Sequence, residues 1–129
     1  VSWKKRTAGT ASVMLLAAGG MMVTAPPAAA DGPCPANRVC VYDATSFGGN
    51  RIASGSTNSC FFPQDFTFGT IVSYDNNLSV DAKVWHYYAD VGVYKVARTL
   101  VGGGFSSNIG VPNLGAAYGD LVCMGNARP

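Results

Sequence analysis

Residues 39–49, Val-Cys-Val-Tyr-Asp-Ala-Thr-Ser-Phe-Gly-Gly, read as a strand, a tight turn and the beginning of a returning strand. Tyr42 and Phe47 stand five apart, and Gly49 falls where a chain folding back on itself needs positive φ. The aromatic at the first position can pack over the turn that carries the second, which protects a small core. A chain that begins in this way is building a compact β-protein, better suited to binding than to catalysis.

Four cysteines, Cys34, Cys40, Cys60 and Cys123, narrow the choice further. An even count in a small exported chain reads as two disulfides. There is no C-x-x-C spacing and a single His, so a zinc knuckle is not indicated. Three pairings satisfy the count. Cys34–Cys40 with Cys60–Cys123 is favoured, and Cys40–Cys60 is its main competitor. Closing the 60–123 loop would remove unfolded-chain entropy worth on the order of 4 kcal/mol in the loop-entropy model.

Export is read from residues 1–30. Lys4, Lys5 and Arg6 form a charged n-region, Val13 to Val23 a short apolar h-region, and Ala28-Ala29-Ala30 a small-residue cleavage site before Asp31. A spanning helix needs roughly 20 apolar residues, more than this glycine-containing run supplies. The expectation is a secretory signal at 1–30 and a single domain at 31–129. The whole chain carries a net charge of +2. Three of its nine cations fall in the signal, which leaves six against seven Asp and a net charge of −1 for residues 31–129. No basic patch remains to neutralise a phosphate backbone, so nucleic acid is not an expected partner.

Helix signals are nearly absent after residue 30: there is no Glu, few Leu, and much Val, Tyr, Thr, Ser and Gly. Val39–Tyr42 and Asn50–Ala53 are expected to form a first hairpin. Phe61–Phe68, interrupted by Pro63, is expected to be irregular or an edge. Val80 to Tyr87 alternates, with Val80, Ala82, Val84 and His86 on one face and Asp81, Lys83, Trp85 and Tyr87 on the other. Val91–Val101 is the next extended run, a Gly/Asn-rich stretch follows from Ser106 to Gly119, and Asp120–Met124 is a last strand. Strand, turn and strand in 39–53, then a loop to Ser79, are echoed by 84–100 and a loop to Asp120, which hints at a twofold internal repeat.

Cys34-Pro35-Ala36-Asn37-Arg38-Val39-Cys40-Val41-Tyr42, followed by Phe47-Gly48-Gly49, resembles the start of the secreted actinomycete metalloproteinase-inhibitor family. Asp75-Asn76-Asn77-Leu78-Ser79-Val80 is similar to a second motif of the βγ-crystallin superfamily, with Val80 in place of a final Ser. The resemblance implies an all-β, βγ-crystallin-like Greek-key sandwich, small and disulfide-stabilised. It also implies a secreted, non-catalytic protease inhibitor acting as a monomer on an extracellular, thermolysin-like protease, with no membrane partner once the signal is removed. The alternative is a structural or binding module of the cell exterior.

Candidate sites follow from the same residues. The resemblance implies that the inhibitory bond follows a cysteine in a short mid-chain disulfide loop, yet no cysteine lies between Cys60 and Cys123. The nearest substitute is Cys60-Phe61-Phe62, where an anchored cysteine precedes large apolar residues; the competing reading makes both Phe side chains core or cover. Asp75, Asn76 and Ser79 could supply oxygens to a weak calcium site, or Asp75-Asn76-Asn77 could simply form an Asx-turn. No other cofactor is expected. His86 reads as a buried, hydrogen-bonded histidine, and no G-x-S-x-G or other nucleophile motif accompanies it. Trp85, Tyr87 and Tyr88 are candidates for a contact surface toward a protein or glycan, or for packing against neighbouring loops.

Overall fold

The computed structural model describes residues 33–129; the expected signal at 1–30 lies outside them. Eight strands follow one another: β1 Val39–Tyr42, β2 Arg51–Ser54, β3 Cys60–Phe61, β4 Ser73–Asn76, β5 Ala82–Tyr88, β6 Val93–Leu100, β7 Phe105–Ser106 and β8 Leu121–Met124. They form two four-stranded antiparallel sheets, ordered β2-β1-β4-β7 and β3-β8-β5-β6. The two orders become the same when β1–β4 are matched in turn to β5–β8. Each half of the chain thus lends its third strand to the other half's sheet. The expected twofold repeat is present in the topology, although the aromatic-and-glycine turn occurs only in the first half.

The core lies between the sheets. Val39, Val41, Ile52 and Tyr74 come from one, and Ala82, Val84, Leu100, Val122 and Met124 from the other. Along β5 the expected alternation holds where it meets this core, with Ala82 and Val84 buried and Lys83 and Trp85 half-exposed. A bulge in the β5–β6 ladder follows, because Val84 pairs with Arg98 but Trp85 with Val96. Beyond it the strand rises clear of the core.

Tyr42 and Phe47 meet edge to face, ring centroids 5.8 Å apart, and pack with Cys34 and Cys40 in a second small cluster. The turn between them is tight: Ser46, Phe47 and Gly49 all have positive φ. An added Cβ at Gly49 would run into the Asp43 carboxylate and Ala44, so glycine is required there for space as well as for φ. Asp43 closes the hairpin by accepting from the Asn50 backbone N–H and side-chain amide. Ser73, fully buried at the start of β4, accepts from Phe47 N at 3.1 Å and donates to Ala44 O at 2.7 Å.

Residues 73–76 were expected within a loop reaching Ser79, but Ser-Tyr-Asp-Asn is a fully buried central strand between β1 and β7. Its polar composition hides this because the groups are satisfied inside. Asn76 Nδ2 donates to Val80 O and Leu100 O, while Oδ1 accepts from Leu78 N. The two-residue β7 was likewise unexpected in a stretch too short and polar to signal a strand.

Both disulfides take the favoured pairing, Cys34–Cys40 and Cys60–Cys123. The second joins directly opposed residues of β3 and β8. With sequence separations of 6 and 63, chain entropy predicts unequal effects. Replacing Cys60 and Cys123 by Ala should cost about 4 kcal/mol in urea unfolding, and replacing Cys34 and Cys40 about 2 kcal/mol.

The Tyr42 hydroxyl is buried without a protein hydrogen-bond partner. Burial pushes its phenol above the ordinary 10.0; Arg51, directly across the ladder, approaches without hydrogen-bond geometry and only partly offsets this. Because the native state resists deprotonation, its contribution is intact below pH 10 and is lost as pH rises through the raised value. Tyr42→Phe should therefore unfold within about 1 kcal/mol of the parent at pH 7. Its stability, followed by urea titration from pH 8 to 11.5, should fall less steeply above pH 10.

Candidate functional site

Most of the exposed aromatic side chains lie on or beside the second sheet, Phe105 of β7 being the exception. At that sheet's β3 edge Cys60 is fastened to Cys123, and the next two side chains part company. Phe61 turns inward, packs on the core and meets Phe66 edge to face at 6.2 Å. Phe62 turns outward, 40% exposed, on extended backbone at φ −97°, ψ 117°. Buried Pro63 then opens a single 3₁₀ turn, Pro63–Phe66, which ends at Thr67 in the left-handed region. The segment therefore holds a rigid course between a disulfide and a proline. Of the three residues expected to form an inhibitory loop, only Phe62 offers a large side chain to a partner.

Phe62 opens onto a cleft of about 420 Å³ with Gln64, Asp65, Tyr87, Tyr94, Tyr118 and Gly119. Tyr87 and Tyr94 are opposed on β5 and β6, their centroids 4.9 Å apart, and Tyr94 Oη donates to Gly119 O at 3.1 Å. Gln64 Nε2 donates to Ala116 O at 2.6 Å, tying the 3₁₀ turn to the loop that presents Tyr118. Tyr118 itself is 93% exposed. A ring so exposed beside other aromatic residues fits the composition of interface hot spots. Sequence reasoning reached Phe62 and Tyr87 but missed Tyr94 and Tyr118. A lone Tyr in an otherwise Gly/Asn-rich stretch was the available signal for the latter.

Behind this face sits the chain's histidine. His86 Nδ1 meets Asp120 Oδ1 at 2.8 Å. The same buried carboxylate accepts from Tyr87 N at 3.3 Å and Ala117 N at 3.1 Å. Asp120 thus fixes both the strand and the loop that bear cleft tyrosines. His86 is hydrogen-bonded as expected but not buried, since its side chain is 36% exposed and lies against the Tyr88 ring at 4.6 Å. The strand has already passed the core at this height, which explains the difference. Trp85 and Tyr87, candidates for an open contact surface, are half-buried: Arg128 covers the indole and Tyr94 flanks the phenol.

The calcium candidates do not converge. Asp75 and Asn76 are consecutive strand residues and project to opposite faces, and Ser79 is exposed beyond the strand. The Asn76 amide is committed to three backbone groups, one of them the Leu78 N–H of an Asx-turn. Calcium at 5 mM, compared with EDTA, should accordingly move the thermal midpoint by less than about 1 °C, since only a ligand of the native state raises it.

Residues 27–94 match the family model of peptidase inhibitor family I36, more than half of the chain, and the chain belongs to that family. No curated protein and no solved structure matches it. The matched stretch contains Cys60–Phe62, Tyr87 and Tyr94, whereas Tyr118 and Asp120 lie beyond it. The family gives the chain the general role of a peptidase inhibitor, and with it a protease as partner.

Proposed function

We propose that this chain is a secreted, non-catalytic inhibitor of a thermolysin-like metalloproteinase, acting through the edge of its second sheet at Cys60–Phe62. The observation that carries the reading is Phe62: extended backbone, an outward apolar side chain, a disulfide two residues before and a buried proline directly after. A peptidase binds its substrate as an extended strand, and a segment already held extended loses little conformational entropy on docking. Phe62 supplies the large apolar side chain that such an enzyme's pocket accepts. Tyr87, Tyr94 and Tyr118 flank it with rigid aromatic area. Two disulfides fit an oxidising exterior.

A second surface has its own supporting observation. The β5–β6 hairpin turn exposes Val91 at 64%, with Tyr88 and Val93 beside it. Substitution separates the two. Phe62→Asp should weaken inhibition of a thermolysin-like enzyme at least roughly 100-fold, equivalent to about 2.7 kcal/mol, with the thermal midpoint retained. Val91→Asp should change it less than about threefold. The reverse pattern would move the site to the hairpin. No inhibition of the metalloproteinase at large molar excess would remove the reading, and inhibition of a serine protease alone would reassign the target.

A further inference from the structure

A separate feature of the second sheet involves two cations with no carboxylate partner. Among the described residues the ion pair formed is His86–Asp120, and neither Lys83 nor Arg128 makes one. These two line a single cavity of about 180 Å³ with Trp85, Val96 and the segment 125–127. No acidic residue lines it. The neighbouring carboxylate, Asp81 immediately before β5, is engaged elsewhere, accepting from Gly102 N at 2.9 Å.

The meeting of Lys83 and Arg128 is built into the backbone. After β8 the chain turns at Gly125, where φ is +65° and an added Cβ would run into Thr57 O. Gly125 N donates to Asp81 O at 2.9 Å, and Ala127 N donates to Met124 O at 3.2 Å. The turn brings Arg128 back over β5, its guanidinium 5.6 Å from the Trp85 ring centroid. The indole Nε1 of Trp85 is itself buried with no protein hydrogen-bond partner. Two cations without a carboxylate partner, in a cavity lined by no acidic residue, lack the same thing, an anionic acceptor.

We propose that this cavity binds a small oxyanion: a carboxylate, sulfate or phosphate group. Lys83 supplies a mobile ammonium and Arg128 a planar fork suited to two oxygens, with the Trp85 ring as the wall beneath the guanidinium. The site is distinct from the Phe62 cleft, whose lining it does not share, and the proposal does not depend on the target of inhibition.

The full chain can be titrated with potassium phosphate, sulfate or acetate, ionic strength being held constant with potassium chloride. The Trp85 indole N–H resonance should move saturably, identified by its absence in Trp85→Phe, and calorimetry should give the same affinity. Lys83→Met and Arg128→Met should each weaken binding at least about fivefold, as expected for a lost charge-assisted contact, with the thermal midpoint unchanged. Phosphate or sulfate bound about tenfold tighter than acetate assigns a tetrahedral anion; acetate bound equally well assigns a carboxylate. An equal response to chloride, or full-strength binding by both Met variants, overturns the site.

Discussion

A single buried hydroxyl ties the first half of this molecule together. Ser73 binds Phe47 N and Ala44 O, two points on the β1–β2 connection that would otherwise be orphaned when the hairpin folds down. With that connection fixed, Phe47 lies against Tyr42, the Cys34–Cys40 bridge is covered, and β1 can sit between β2 and β4. Replacing the hydroxyl by a methyl group would remove both bonds and leave polar backbone buried without a partner. The second half uses a different residue in the corresponding place. Asp120, immediately before β8, holds His86, Tyr87 N and Ala117 N.

Exchange of the third strands gives these local ties a global consequence. β3 belongs to the second sheet and β7 to the first, so neither sheet is complete without the other half of the chain. The Cys60–Cys123 bridge secures the exchanged β3 to β8, where a strand of two residues has few hydrogen bonds of its own. Phe62 follows directly. The segment proposed to meet the peptidase is therefore stiff because the fold needs it to be stiff, and its rigidity comes from the same covalent link that completes the sheet.

The proposed docking face draws on both halves of the chain. Phe62 and the 3₁₀ turn come from the first half, Tyr87 and Tyr94 from the β5–β6 hairpin, and Tyr118 from the loop before β8. Asp120 and Gln64 hold those segments in register from behind and from the side. The oxyanion cavity uses a different stretch of the same sheet, around Trp85 and the chain's return after β8. Membership of the inhibitor family covers the first of these surfaces in large part and the second only through β5.

Much of this was legible in the chain itself. The Tyr42–Phe47–Gly49 corner, the presence of two disulfides, the all-β character and the β5 alternation follow from local chemistry, whereas the pairing of Cys60 with Cys123 was only favoured until β3 met β8. Side-chain period, turn sterics and cysteine number act over a few residues and leave a readable trace. The buried β4, with Ser73, Asp75 and Asn76 in its middle, did not read as a strand, since polarity marks exposure only until partners are known. Likewise Phe61 and Phe62 are chemically alike, and only the seating of β3 against β8 turns one inward and the other out. Tyr118, Asp120 and the Lys83–Trp85–Arg128 cavity depend on contacts between residues far apart in the chain. The tertiary structure alone decides them, because the energy of a buried polar group or a docking surface lies in its partners and not in its identity.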